Sequence, residues 1–267
     1  MRHVRAYGIA AIASIAVAAA AYAQTAEPTV TPLPEAEPVQ AAPLDAAAAV
    51  ANEAPAHWGD AKAGATKAGV CAACHGVDGN PSDPMYPRIA GMPERYVAEQ
   101  LALYKSGERN TGMAALMVPM ASMLSAQDMR DVGAYFAQQK PGAGIADDTR
   151  IAEGPNKDLK FFQVGERLFQ GGDAERQIPA CMACHGPTGG GNPGPAYPNI
   201  GGQQSAYVVQ RLQEYRTGDT DIVDSANFRI MATVAKSLTD EEIQSLGSYL
   251  QGLHDRADDA PAIAGTP

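Results

Sequence analysis

Apolar residues recur along this chain at the spacing of helices, and no run alternates in the manner of a strand. Residues 94–106 place Val97, Leu101 and Tyr104 four and three apart, on one face. Ser125 and Thr239 stand as N-caps with acids just behind them, which predicts helices over 126–139 and 240–253. Gly165-Glu-Arg-Leu-Phe169 reads as a helix that faces the last of these. Its counterpart in the first half begins at Gly64 but carries Ala68 in place of Phe169, so the two crossings must pack differently. Gly133 and Gly247 fall inside helical pattern ahead of Tyr135 and Tyr249. Glycine there costs about 1 kcal/mol against alanine, which predicts a close helix crossing at each. The pattern is that of an all-α protein with long loops.

The helices belong to a duplicated unit. Cys71-Ala-Ala-Cys74-His75-Gly76 matches Cys181-Met-Ala-Cys184-His185-Gly186 at an offset of 110. Tyr86-Pro87-Arg-Ile-Ala-Gly91 matches Tyr197-Pro198-Asn-Ile-Gly-Gly202 at 111, and Tyr96 matches Tyr207 at the same offset. Gly133-Ala-Tyr135 matches Gly247-Ser-Tyr249 at 114. Order and spacing are both kept, so the chain is a tandem repeat of a unit of roughly 85–95 residues. The domains are expected at 58–140 and 158–254, joined by the Pro/Gly/Asp-rich linker 141–157 and followed by a tail at 255–267.

The remaining N-terminal segment reads as an address. Arg2 and Arg5 open residues 1–23, an apolar stretch follows over 8–20, and Ala21-Tyr22-Ala23 is a cleavage pattern. No adjacent arginine pair is present, which favours a Sec-type signal peptide and a mature protein in an oxidising extracytoplasmic space. The run is short and alanine-rich for a retained anchor. Residues 24–57 form an acidic Ala/Pro-rich leader expected to be disordered. Over 267 residues there are 20 Lys and Arg against 30 Asp and Glu, a net charge of −10. Cleavage after Ala23 removes two arginines and brings it to −12. This acidity argues against a nucleic-acid binder.

Four cysteines are too few for a disulfide scaffold at this length, so their spacing carries the chemistry. Cys-x-x-Cys-His is the attachment pattern of haem c. Two thiols add across the two vinyl groups of one haem, and the next residue is carried under the iron, where a neutral imidazole can bind. Cys71, Cys74, Cys181 and Cys184 are therefore the expected covalent anchors of two haems, with His75 and His185 as iron ligands. A zinc ribbon would set its cysteine pairs about 15–20 residues apart, against 106 here, and a thioredoxin-like pair would need a βαβ pattern.

The repeat also points to a sixth ligand. Met117 and Met231 each precede by seven residues the leucines Leu124 and Leu238, which in turn precede the caps. Met113, Met120 and Met123 fall opposite Asn227, Val234 and Ser237, and read as apolar packing around the haem. Met120, one turn from Met117, is the alternative ligand in the first unit. A thioether opposite histidine favours ferrous iron and fills the last position, which suits electron transfer. Pro87 and Pro198 lie 12 and 13 residues past the histidines, where their carbonyls could orient the imidazole rings. His57 and His254 lack the motif and read as surface groups.

With CAACHG and CMACHG, YPRIAG and YPNIGG, ERYVAEQL and SAYVVQRL, and the closing SYLQGLH, the chain resembles the dihaem cytochrome c4 family over nearly all of 58–254. The resemblance implies two cytochrome c-like haem domains related by a pseudo-twofold axis. It further implies a periplasmic carrier, often associated with the membrane, that passes electrons from a bc1-type donor toward a terminal oxidase of the cbb3 kind. The ligand pairs it implies are His75/Met117 and His185/Met231. The long acidic leader and the methionines crowded between Met113 and Met123 depart from the usual pattern. The competing readings are a haem subunit of a periplasmic dehydrogenase complex, and a dihaem enzyme such as thiosulfate dehydrogenase, which would need an iron with an open position.

Overall fold

In a computed structural model, the described residues are 57–218 and 225–259. The signal segment and all but the last residue of the leader lie outside them. Helix α1 spans Ala61–Lys67, α2 Gly69–His75, α3 Glu94–Ser106, α4 Met117–Ser122 and α5 Ala126–Ala137. The second half runs through α6 Phe161–Gly171, α7 Met182–His185, α8 Ser205–Thr217, α9 Ala226–Ala235 and α10 Asp240–Gly252. Among the described residues the only β-pairing consists of isolated bridges, such as Asp173 with Ile178.

The capping expected from sequence forms at both long C-terminal helices. Ser125 Oγ accepts from the Asp128 backbone N–H at 3.1 Å, and Thr239 Oγ1 accepts from that of Glu242 at 3.2 Å. Each acid in turn accepts from the backbone N–H of its cap residue, closing a capping box. The same acids anchor a neighbouring element. Lys67, at the end of α1, contacts Asp128 at 2.5 Å and Asp131 at 2.7 Å. In the second half Arg176 takes that place on Glu242. It comes from a loop peculiar to this half. Gly64 and Gly165 are 101 apart while the cysteines are 110 apart, so nine extra residues lie between Gly165 and Cys181.

The glycine crossings are close. A Cβ on Gly64 would lie 2.0 Å from the Asp131 carbonyl oxygen, and one on Gly165 would lie 2.1 Å from that of Ser245. A Cβ on Gly133 would lie 2.7 Å from the Glu94 carbonyl oxygen, and one on Gly247 would lie 2.8 Å from the Ser205 hydroxyl. Thus α5 is held between α1 and α3, and α10 between α6 and α8. Phe169 is fully buried and tilts against Tyr249 at 5.4 Å, whereas the first half buries Ala68 and Phe136 instead. The cores are built separately, around Leu101, Met129, Val132 and Phe136 in one half and Val164, Phe169, Ile243 and Leu246 in the other. Val97 and Tyr104 pack on the first, as their spacing predicts. Ile151, inside the linker, is buried in the second core.

The two halves meet through repeat-related residues. Arg88 donates to the Gly202 carbonyl at 2.5 Å, and its mate Asn199 lies against Gly91, the mate of Gly202. This exchange of partners is what a twofold relation requires. Gln203 bonds both the backbone N–H and the carbonyl of Arg88, at 2.9 Å each.

Candidate functional site

Helices α2 and α7 exist to present a histidine. Each ends on it, at His75 and His185, and the next residue is Gly76 or Gly186 with φ of 78° and 79°. That backbone geometry is open to glycine and strained for other residues, so the chain leaves the helix directly after the imidazole. Both rings are buried. Burial pushes each imidazole below its usual range, toward the neutral form, and the carbonyl bond at Nδ1 only partly offsets this.

The prolines singled out from sequence meet the histidines. His75 Nδ1 lies 2.8 Å from the Pro87 carbonyl oxygen, and His185 Nδ1 lies 3.0 Å from that of Pro198. A carbonyl only accepts, so Nδ1 carries the proton and Nε2 keeps a free lone pair. Tyr86 and Tyr197 lean on the same rings, with centroids 6.2 Å and 6.1 Å away. Sequence reasoning aligned these tyrosines as repeat mates but gave them no role; their place beside the prolines was the available signal.

None of the four cysteines is paired in a disulfide. Burial raises the thiols of Cys71 and Cys181, the latter to about 11. In the second half Cys181, Cys184, His185, Pro198 and Met231 line one cleft with an almost wholly apolar wall. It reaches across the domain boundary to Tyr96 and Gln100. In the first half Met117 and Cys71 both pack against the same core. Met113, Met120 and Met123 are exposed, and none joins that core.

The donor set fits a haem c in each unit: two cysteines outside any disulfide, an imidazole with Nε2 free, and a thioether that shares the cleft of the cysteines in the second unit and the core of Cys71 in the first. The apolar cleft suits the macrocycle. Arginines at the boundary were not foreseen from sequence. Arg109 and Arg211 stack on Tyr104 and Tyr215, at 4.8 Å and 4.6 Å from the ring centroids. The repeat of tyrosines at 104 and 215 was the signal for them.

The chain matches the cytochrome c family twice, over residues 61–140 and 163–254. It is 40% identical to the cytochrome c4 of Stutzerimonas stutzeri over 191 residues, which cover 69% of this chain and 85% of that one. It is 36% identical to the thiosulfate dehydrogenase electron acceptor of Thiomonas intermedia over 182 residues, 67% of this chain and 76% of that one. The crystal structure of reduced recombinant cytochrome c4 from Pseudomonas stutzeri has a TM-score of 0.63 at 40% identity, covering 73% of this chain and 100% of the other. Two fused cytochrome c units, each with its own CxxCH pair for a covalent haem, and this likeness along both units lead to one conclusion: the chain belongs to the cytochrome c4 family of dihaem electron-transfer proteins.

Proposed function

We propose that the chain carries electrons in the periplasm, from a bc1-type donor to a terminal oxidase of the cbb3 kind, through two haems held between His75 and Met117 and between His185 and Met231. On this reading the domains are 58–140 and 158–254, and the leader after Ala23 precedes the first. Bound haem supplies a one-electron Fe(III)/Fe(II) couple. The protein's part is to hold that couple in place. Cys71, Cys74, Cys181 and Cys184 fix each macrocycle covalently, and the carbonyls of Pro87 and Pro198 fix the imidazole planes and raise their basicity. The methionine thioethers favour the reduced state and leave no position for a substrate.

The observation that carries this reading is the shared cleft of Cys181, Cys184, His185 and Met231. Visible spectra of the dithionite-reduced protein, taken with and without carbon monoxide, test it. The expected result is two c-type haems per chain with no change on adding the gas. A shift of about half the haem signal would show one open iron and replace the carrier reading with that of an enzyme.

A second reading of the donor is favoured by the relative from Thiomonas intermedia, whose name makes it the acceptor for a thiosulfate dehydrogenase. The same carrier would then take electrons from a thiosulfate-oxidising enzyme. Reduction of the ferric protein by such an enzyme with thiosulfate, against reduction by bc1-containing membranes with quinol, separates the two donors.

A further inference from the structure

Helix α9 carries Met231, and its first turn is held partly by the other domain. Its N-cap is Ser225, whose Oγ accepts from the Phe228 backbone N–H at 3.4 Å. The same hydroxyl donates to Glu99 Oε1, on α3 of the first domain, also at 3.4 Å. Burial pushes the Glu99 carboxyl above its usual range, against hydrogen bonds from Ser225 and Asn227 and the charge of Arg95. Both distances are long for hydrogen bonds, and apolar packing adds to them. Leu103, one turn beyond Glu99, forms with Phe228 a small buried cluster of its own, with Tyr215 and Ala232 packed against it. Arg95, one turn before Glu99, donates to the Gly194 carbonyl at 2.6 Å. Arg95, Glu99 and Leu103 follow at intervals of four, so one face of α3 lies along the second domain.

The duplication supplies a control inside the same chain. Under the repeat Glu99 and Leu103 become Gln210 and Glu214 at an offset of 111, while Ser225 and Phe228 become Thr111 and Ala114 at 114. Gln210 of α8 does reach the first domain, since a Cβ on Gly112 would lie 3.4 Å from its Nε2. Its amide, however, donates to Glu214 on its own helix at 2.8 Å. Thr111 makes no side-chain cap bond, and Ala114 offers no ring to pack on. The chain ahead of Met117 is a 3-10 turn, Gly112–Leu116, where the second domain has one continuous helix. A helix thus meets a methionine arm twice across this boundary, and the contact is reinforced once.

We infer that Glu99 and Leu103 of the first domain are positioning residues for Met231, holding its thioether at the second iron through Ser225 and Phe228. The inference rests on the proposed His185/Met231 ligation. Glu99, Leu103, Phe228 and Met231 all line the cleft of Cys181 and His185, and Phe228 precedes Met231 by three residues. A thioether leaves iron only when its helix can draw back. With the first turn of α9 clamped, that retreat is disfavoured, and the second haem keeps its sixth ligand because the first domain is docked. An outside ligand that competes for the sixth position binds with an apparent affinity set by the fraction of open iron, so it reads the clamp directly. The charge of Glu99 acts in the opposite sense. Removing an anion beside the haem raises its potential, whereas loosening a methionine ligand lowers it.

The test uses the full-length holoprotein, with imidazole as the competing ligand on ferric iron and a potentiometric titration of each protein. The variants are E99A, L103A, the conservative E99Q and L103M, and the repeat-related control Q210A. E99A and L103A are expected to bind imidazole at one haem about tenfold more tightly than wild type, and to lower the midpoint of that haem. E99Q keeps an oxygen that accepts from Ser225, and L103M keeps the apolar volume. Both, like Q210A, should stay within about twofold of the wild-type imidazole affinity. Met231→Leu locates the effect, because it opens the second iron outright and adding L103A to it should change nothing further. A dithionite-reduced spectrum with two c-type haems per chain shows that each variant is folded.

Wild-type imidazole affinity in E99A, or in a folded L103A, overturns the inference. So does a midpoint that rises equally in E99A and E99Q at unchanged imidazole affinity, since Glu99 then acts by charge alone. Lower resistance to denaturant with imidazole affinity unchanged makes the cluster packing between domains and nothing more, which overturns it as well. If L103A does not fold, E99A decides: tighter imidazole binding supports the clamp and wild-type binding removes it. If Met231→Leu binds imidazole no better than wild type, the ligation reading itself falls, and the clamp with it.

Discussion

Met117 and Met120 stand one turn apart on the same short helix, yet only Met117 packs on the first core, the one that Cys71 also meets. Three residues leave a side chain about 60° off the line of the first, enough to turn Met120 from that core toward the surface. On the proposed ligation, Met117→Leu opens the first iron. Carbon monoxide should then shift about half of the reduced haem signal, and the midpoint of that haem should fall. Met120→Leu should leave both spectrum and potentials unchanged. Equal effects from the two substitutions, or none from Met117→Leu, would remove the assignment. Much of the site was legible at this scale because covalent haem chemistry ties Cys, Cys and His to adjacent positions. The proline carbonyls were legible for a similar reason, since the duplication repeats Tyr-Pro at nearly the same distance from histidine. The outward placement of Met113, Met120 and Met123 was not. A run that is apolar on every side gives no period by which to choose the buried face.

Helices in this protein are clamped at glycine crossings, and the clamps can be tested one at a time. Gly165→Ala sets a Cβ against the Ser245 carbonyl, which belongs to backbone and cannot swing away. The variant should lose roughly 1–3 kcal/mol in second-domain stability, read by chemical denaturation of the holoprotein. Gly171→Ala is the control, with open space around the added methyl, and should stay within about 0.5 kcal/mol of wild type. A second clamp is electrostatic. Hydrogen bonding from Lys67, with help from Ser125, holds the Asp128 carboxyl down to about 2. An unfolded aspartate titrates near about 4, so this carboxylate stabilises the fold above that pH and ceases to as pH falls through about 2. Wild-type stability should therefore drop between these limits more than that of Asp128→Asn, which should be less stable at neutral pH and flatter in acid. Parallel acid profiles for the two proteins would show that the Lys67 contact carries no folding energy. The caps and long helices of this scale were readable in advance from Ser125 and Thr239, whose side chains act on their own next turn. The nine-residue loop that brings Arg176 to Glu242 was not, because its pairing joins positions 66 residues apart in sequence.

Across the whole molecule, the boundary between the domains buries charge beside the second cleft. Arg109 is only 3% exposed. Its described hydrogen-bond partners are neutral, Gln100 at 2.5 Å and Tyr207 at 3.1 Å, and its Nε has none. Arg211 nearby is balanced by Glu214. Gln100 and Tyr207 both line the cleft of Cys181, His185 and Met231, so the Arg109 guanidinium lies one side chain behind its wall. That group stays protonated at any working pH. A buried cation favours the state with one more electron, and salt screens it little. Arg109→Met should therefore lower the midpoint potential of the second-domain haem by on the order of tens of millivolts, at low and high ionic strength alike. Arg109→Lys keeps the charge and should recover most of the difference. A residue that served only to pack the boundary would lower stability in both variants and leave the potentials where they were. Potentiometric titration of the three proteins decides between these roles. A fall in potential restored by lysine makes the first domain a regulator of the second domain's redox level, because Arg109 belongs to one repeat and the cleft beyond Gln100 and Tyr207 to the other.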